Sequence, residues 1–404
     1  MLFPQLLIQE LNNRREDFIR FAESQTDELE SYLALLDELA ARPSEQVRAA
    51  LGGKEIGAIP SDEIDRHCSL TIKFEPRWQN HEESRRWALQ ILKNRTTFAA
   101  DGSQIQPGRE VSMHVAAIQI GSFENPHNEA GDYKKQARLR LIAPGDFYES
   151  DLLDEKPVNT DTIVGYLRFS EEIEEIKGFL REKEGWQARG ERAPLAFVDN
   201  TLLLSIAMPQ TKLQNLYIST MVELVRLSEK TKVPLVGFVD QSYARDVVSL
   251  LDNFNAFTQN FLHQPSDSLS DAQLFNQGTI PSWGDRTAFF YCERKGLSEF
   301  FKGDNGNSIV GCVYLRTTGE GIPARIDVPA WIYESGLLEE TIDTIRAECV
   351  VGNGYPYALE TADATAVIST RDREMFLRAV QDFARRENLN FRVANKRMSK
   401  ARRR

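Results

Sequence analysis

Two short apolar runs in the chain each end in an aspartate. Thr97-Phe-Ala-Ala100 leads into Asp101-Gly102-Ser103, and Pro194 to Val198 leads into Asp199-Asn200-Thr201. A carboxylate at the end of a strand is held by the rigid sheet while its oxygens reach an open edge, an arrangement suited to Mg²⁺ or Mn²⁺. One such aspartate can equally be a turn former or a helix N-cap. Two of them, on strands that would neighbour each other in a mixed sheet, bring the metal-binding reading level with the local one. A hydrolytic centre with two divalent cations about 3.5–4 Å apart needs further negative charge. Glu171, Glu172, Glu174 and Glu175 lie between the two runs. Of these, Glu172 stands three residues after Phe169 and four before Ile176, so it borders a buried helical stripe and can point toward the sheet, while the rest form a solvated face. A fourth carboxylate, Asp363, follows Tyr355-Pro356-Tyr357 and precedes an apolar segment.

Other chemistries have no matching residues. The four cysteines and five histidines are scattered with no C-x-x-C pair, so the sequence does not read as a zinc site, and reduced thiols in a cytoplasmic protein are expected. There is no P-loop, G-x-G-x-x-G or G-x-S-x-G, which leaves any coupled ATP hydrolysis to a partner. No apolar window is long enough to span a membrane, and no secretory signal is visible. The net charge of -11, from 60 acidic and 49 basic side chains, argues against a uniformly basic surface. Nucleic acid would have to be held by a local basic patch or through metal ions.

The elements that must position these groups follow from periodicity. With 404 residues, 41 % of them hydrophobic, the chain can bury a large core without staples. Leu29, Leu33, Leu36 and Leu39 mark an amphipathic helix closed by Pro43, either packed on its own domain or docking a partner. Residues 52–80 read as a connector, and together these give an N-terminal helical arm over 1–80. Helices are expected at Glu82 to Lys93, Thr162 to Lys183, Leu213 to Leu227, Ala244 to Leu251, Leu337 to Ala347 and Arg371 to Arg386. Strands are expected at Thr97 to Ala100, Val111 to Ile120, Pro194 to Val198, Val233 to Val239, Thr287 to Cys292 and Ile309 to Arg316. An antiparallel opening followed by strand-helix-strand units predicts an α/β fold with a mixed sheet. A basic tail, 391–404, contains Lys396, Arg397, Lys400 and Arg402 to Arg404.

Five segments in register carry a family resemblance: Phe98-Ala-Ala-Asp101-Gly-Ser103, Phe197-Val-Asp199-Asn-Thr-Leu202, Val236-Gly-Phe-Val-Asp240 with Ala244-Arg-Asp-Val-Val248, Ala324-Arg-Ile-Asp-Val-Pro-Ala-Trp331, and Gly354-Tyr-Pro-Tyr357 with Ala362-Asp363. In these the chain resembles the NurA nucleases, partners of the hexameric translocase HerA. The resemblance implies an RNase H-like mixed sheet with flanking helices spanning 81–390, a homodimer enclosing a channel, and a manganese- or magnesium-dependent deoxyribonuclease. That enzyme would resect DNA ends 5′ to 3′ in double-strand break repair, with single-strand endonuclease activity as a further expectation. The family's aspartates fall on Asp101 and Asp199, its C-terminal tyrosine on Tyr355 and its last metal position on Asp363. Glu172 is taken over Glu175 as the helical ligand. Asn200 stands where the second motif usually has glycine, a mild departure because Asn tolerates left-handed backbone. Asp363 stands where some members carry His, which favours hard cations.

The expected centre is therefore Asp101, Glu172, Asp199 and Asp363 holding two Mn²⁺ or Mg²⁺ ions. Tyr355 either contacts a phosphate or a base or packs beside Pro356. Arg245 and Arg325, beside the motif strands, are candidate phosphate contacts. Two other functions fit the same residues: a NurA-like binding partner without activity, and an RNase H-like nuclease acting on RNA or hybrids.

Overall fold

The computed structural model describes residues 3–51, 56–67, 69–108, 112–148, 160–204, 211–258, 268–276 and 279–390. The basic tail lies outside them. The chain forms two units, one made of 1–77 with 239–330 and the other of 78–238 with 331–404. No described helix is long and apolar enough to cross a membrane.

The second unit contains all four candidate carboxylates. Its strands are β1 (Thr97–Ile105), β2 (Ala116–Asn125), β3 (Lys134–Ile142), β4 (Leu195–Val198) and β5 (Leu235–Val239), and its main helices are α1 (His81–Leu92), α2 (Thr160–Lys183), α3 (Lys212–Thr231), α4 (Leu338–Val351), α5 (Tyr357–Ala366) and α6 (Thr370–Arg386). β1, β2 and β3 form an antiparallel meander. β4 pairs parallel to β1, and β5 parallel to β4. The spatial order is thus β3-β2-β1-β4-β5, with helical crossovers wherever the strands are parallel. This is the strand order of an RNase H-like fold. β4 is buried at every position, as expected of a parallel strand covered on both faces. Phe98 of β1 stacks on Phe179 of α2 at 4.6 Å between ring centres, and Ile163, Ile173 and Ile176 of α2 are fully buried.

In the first unit, strands Gly57–Pro60, Phe290–Glu293, Val310–Leu315 and Ala324–Pro329 pair antiparallel in that order. Helix Arg15–Ala40 packs on helix Asp246–Thr258 through buried Tyr32, whose hydroxyl donates to Asp252. Of the two readings of this amphipathic helix, the structure shows the one in which it packs on its own unit. Gly57–Pro60 supplies a strand to a sheet completed almost 240 residues later, a long-range pairing that periodicity does not reveal. Three further elements differ from the reading of the sequence. β3 is nearly all exposed and polar, so it shows no buried alternation. Ala324–Pro329 forms a strand, and Asp363 stands on α5, whose ten residues are rich in Ala and Thr.

Candidate active site

β1 continues past the end of β4. The parallel register joins Thr97 to Leu195 and Ala99 to Phe197 and then stops. Two residues further along, Asp101 and Asp199 stand level with each other, Asp101 still in β1 and Asp199 just beyond β4. Neighbouring strands lie about 4.8 Å apart, so the two carboxylates face one opening at the flank of β1.

Two glycines let helices approach that opening. Gly121 of β2 is the direct cross-strand partner of Asp101. A Cβ on Gly121 would lie 2.5 Å from the Ala366 amide nitrogen and 2.7 Å from the Ala362 carbonyl oxygen, so α5 rests directly on the backbone of β2. That seating brings Asp363 to Asp101, and the two carboxyl groups share a hydrogen bond. Gly102 points to the opposite face of the sheet. A Cβ there would lie 2.5 Å from Glu172 Oε1 and 2.9 Å from Arg168 Cγ, so α2 is drawn against β1 one residue after Asp101. The α5 N-terminus is held by buried Glu348, whose Oε2 accepts from the Ala358 amide at 3.0 Å. Just before α5, the Tyr355 hydroxyl donates to Asp199 Oδ1 at 2.6 Å, with its ring edge-on to Phe238.

The electrostatics follow from packing acids together beneath a sheet edge. Burial pushes Asp101 up to about 6; a hydrogen bond from the Gly102 amide opposes this, while the carboxylates of Asp363 and Asp199 add to it. Burial also pushes Glu172 up to about 8, against the pull of Arg168, with Asp101 and Asp199 again raising it. The Arg168 guanidinium bonds Glu172 Oε1 and, at 3.0 Å, the Gly102 carbonyl. Carboxylates held this close are uncomfortable without a proton or cation between them.

The four predicted carboxylates and Tyr355 thus belong to one neighbourhood. Among the described residues no three His, Cys, Asp or Glu side chains converge closely enough to count as a metal-holding group. The contact that is formed is the Asp101–Asp363 pair. Its all-oxygen donor set and excess of negative charge fit a hard divalent cation.

Arg245 and Arg325 belong to the other unit. Arg245 Nε donates to the Leu269 carbonyl. Arg325 is only 1 % exposed, bound to Asp327 and Asp246 at 2.6 Å each. The expectation that Arg325 contacts phosphate is corrected: in a strand whose every position is buried, its charge is consumed by internal carboxylates. Arg168 was not anticipated, although its position one turn before Glu172 makes it a helical neighbour.

The family model for the NurA domain matches residues 95–368. This chain belongs to the NurA family. The matched segment contains Asp101, Glu172, Asp199, Tyr355 and Asp363 together. No curated protein matches the chain. Among solved structures, the catalytic domain of human Endonuclease V is 12 % identical, with 76 % of this chain and 99 % of that chain covered and a TM-score of 0.30. A crystal structure of NurA with manganese is also 12 % identical, covering 69 % of this chain and 87 % of that chain, with a TM-score of 0.26.

Proposed function

We propose that the protein is a divalent-metal-dependent deoxyribonuclease that resects DNA ends, and that Asp101, Glu172, Asp199 and Asp363 are its metal ligands. The observation that carries this reading is the Asp101–Asp363 carboxyl pair, flanked by Asp199 and Glu172, inside the NurA-matched segment. Mn²⁺ or Mg²⁺, two ions per site, would supply a nucleophile from water at neutral pH and positive charge for the leaving 3′ oxygen. The protein's own side chains have simpler tasks. Asp101 and Asp363 gather negative charge at the sheet edge, and Tyr355 fixes the orientation of Asp199 through its hydroxyl. On this reading Tyr355 would also contact a phosphate or a base. An acidic protein handles a polyanion on this reading because the bound cations face the phosphate.

The finer features rest on the family: a homodimer in the cytoplasm working 5′ to 3′ at DNA ends, with a HerA-type hexameric ATPase supplying translocation during break repair. Purified protein with an oligonucleotide labelled at either end, with and without Mn²⁺, tests the activity and its polarity. The expected result is metal-dependent degradation that Asp101→Asn abolishes while the melting curve stays cooperative. No degradation of DNA in Mn²⁺ would leave a binding partner as the function, and preference for an RNA or hybrid strand would reassign the substrate.

A further inference from the structure

α5 carries Asp363, and Tyr355 stands two residues before its first residue, so the start of this helix sets both groups at once. The first amides of a helix have no partner inside it. Their usual acceptor is a side chain at the N-cap, and here that residue is Pro356, which makes no such bond. Glu348 takes its place from the last turn of α4, across a connection of only 352–356. Its Oε2 accepts from the Ala358 amide at 3.0 Å, and the Tyr357 amide donates to the same carboxylate. The helix dipole favours a negative group at this end. Yet Glu348 is only 1 % exposed, and a buried carboxylate needs a counter-charge. Burial pushes its carboxyl up, while His127 and the two amides pull it back.

His127, just after β2, supplies that charge when protonated. Its Nδ1 lies 2.7 Å from the Arg95 carbonyl, which only accepts, so Nδ1 carries a proton and Nε2 faces Glu348 Oε1 at 3.6 Å. The backbone fixes the ring as well: the His127 carbonyl accepts from the Asn94 amide at 3.0 Å, and the His127 amide donates to Asn125 Oδ1 at 2.9 Å. Arg95 is itself buried and donates to the Ala193 carbonyl at 2.8 Å, just ahead of β4. Segments flanking β1, β2 and β4 are thus tied, through one imidazole, to the helix that bears Asp363. Resting on the nuclease reading above, we propose that Glu348 and His127 are positioning residues of the site: the buried carboxylate replaces the N-cap that α5 lacks, the imidazole holds that carboxylate in place, and the helix start so fixed sets Tyr355 against Asp199 and Asp363 against Asp101. Neither touches the reacting atoms. Without the carboxylate the first turn of α5 is free to shift, and a displacement of about 1 Å at a catalytic centre costs about 100-fold in rate.

The test uses the full-length protein with Mn²⁺ and an end-labelled oligonucleotide. Glu348→Ala should lower kcat roughly 100-fold and change KM less than about threefold. Glu348→Gln, which keeps the shape and an acceptor for the Ala358 amide, should recover all but about threefold of that loss. In the Glu348→Ala background Tyr355→Phe should cost less than about threefold more, against about 10- to 100-fold in the parent, because the two act through one helix start. His127→Asn, which suits the left-handed backbone there (φ 47°), should also lower kcat, and adding Glu348→Gln should restore it, since no buried charge is then left unpaired. Metal-free protein gives a readout independent of activity: in Glu348→Ala, amide hydrogen exchange over 357–366 should quicken about tenfold or more while 195–198 keeps the parent rate. Parent activity or parent exchange in Glu348→Ala, an equal loss in Glu348→Gln, additive effects with Tyr355→Phe, or no rescue of His127→Asn overturns the proposal. Should Glu348→Ala not fold, His127→Asn with and without Glu348→Gln decides alone. A parent that degrades no DNA in Mn²⁺ refutes the nuclease reading instead, and exchange over 357–366 then still shows whether Glu348 sets this helix.

Discussion

Substituting Asp101 by Asn in metal-free protein should stabilise the fold, and the gain should depend on pH. Burial, helped by Asp363 and Asp199, lifts the Asp101 carboxyl to about 6 in the folded chain, against about 4 when unfolded. Between those values the folded chain holds a proton that the unfolded chain has released. Stability therefore falls as pH rises through that window, and the loss is complete above about pH 6. Two tenfold steps at about 1.4 kcal/mol each give about 3 kcal/mol as an upper bound, reduced by solvent at the open flank. Asn mimics the protonated acid, so Asp101→Asn should equal the parent near pH 4 and exceed it by up to about 3 kcal/mol at pH 8. For a unit of this size that is roughly 6–12 °C in Tm. Thermal melts in EDTA from pH 4 to 8 measure it. Added Mn²⁺ should reverse the order, raising only the parent. A variant no more stable than the parent at pH 8, or a difference that does not vary with pH, would show that these acids do not strain the apo fold.

The remaining predictions concern the supports of the site. Gly121→Ala places a methyl 2.5 Å from the Ala366 amide, so α5 must lift. The expected cost is about 1–3 kcal/mol, with nuclease activity falling far more than the Tm suggests, and parallel melting and turnover assays compare them. Tyr355→Phe deletes the 2.6 Å bond to Asp199 and should lower kcat about 10- to 100-fold, the worth of a hydrogen bond to a charged acceptor, with little change in Tm. Arg325→Met leaves Asp246 and Asp327 without their shared guanidinium. It should destabilise the first unit by about 3–5 kcal/mol in denaturant titration, while folded protein keeps the parent's salt dependence of DNA binding. A flattened salt slope would mean that Arg325 reaches phosphate after all.

Much of the site was legible because its chemistry is written in short range. An apolar run ending in aspartate announces a strand that delivers a carboxylate, which found Asp101 and Asp199. The 3.6-residue stripe through Phe169, Ile173 and Ile176 picked out Glu172 from its acidic neighbours. Tyr355 and Asp363 came from a motif and not from periodicity, since α5 carries too few large apolar residues to signal a helix packed on a sheet. Arg325 failed because residue type alone cannot separate an arginine facing solvent from one neutralised in a buried network. Three carboxylates, Asp246, Asp271 and Asp327, surround it within 4.0 Å, and two of them, Asp246 and Asp271, come from a distant part of the chain.

The sequence by itself determined the candidate carboxylates, the alternation of strands and helices, and the family, because these depend on residue identity and on neighbours a few positions away. Tertiary structure alone decided that the N-terminal eighty residues complete a sheet with 239–330, that Gly121 seats the helix bearing Asp363, and that Arg168 reaches the Gly102 carbonyl. Each of those depends on backbones from separate segments approaching to within a methyl group of one another. Such close approach leaves only a glycine or an unremarkable arginine in the sequence, and its meaning is fixed by what packs against it.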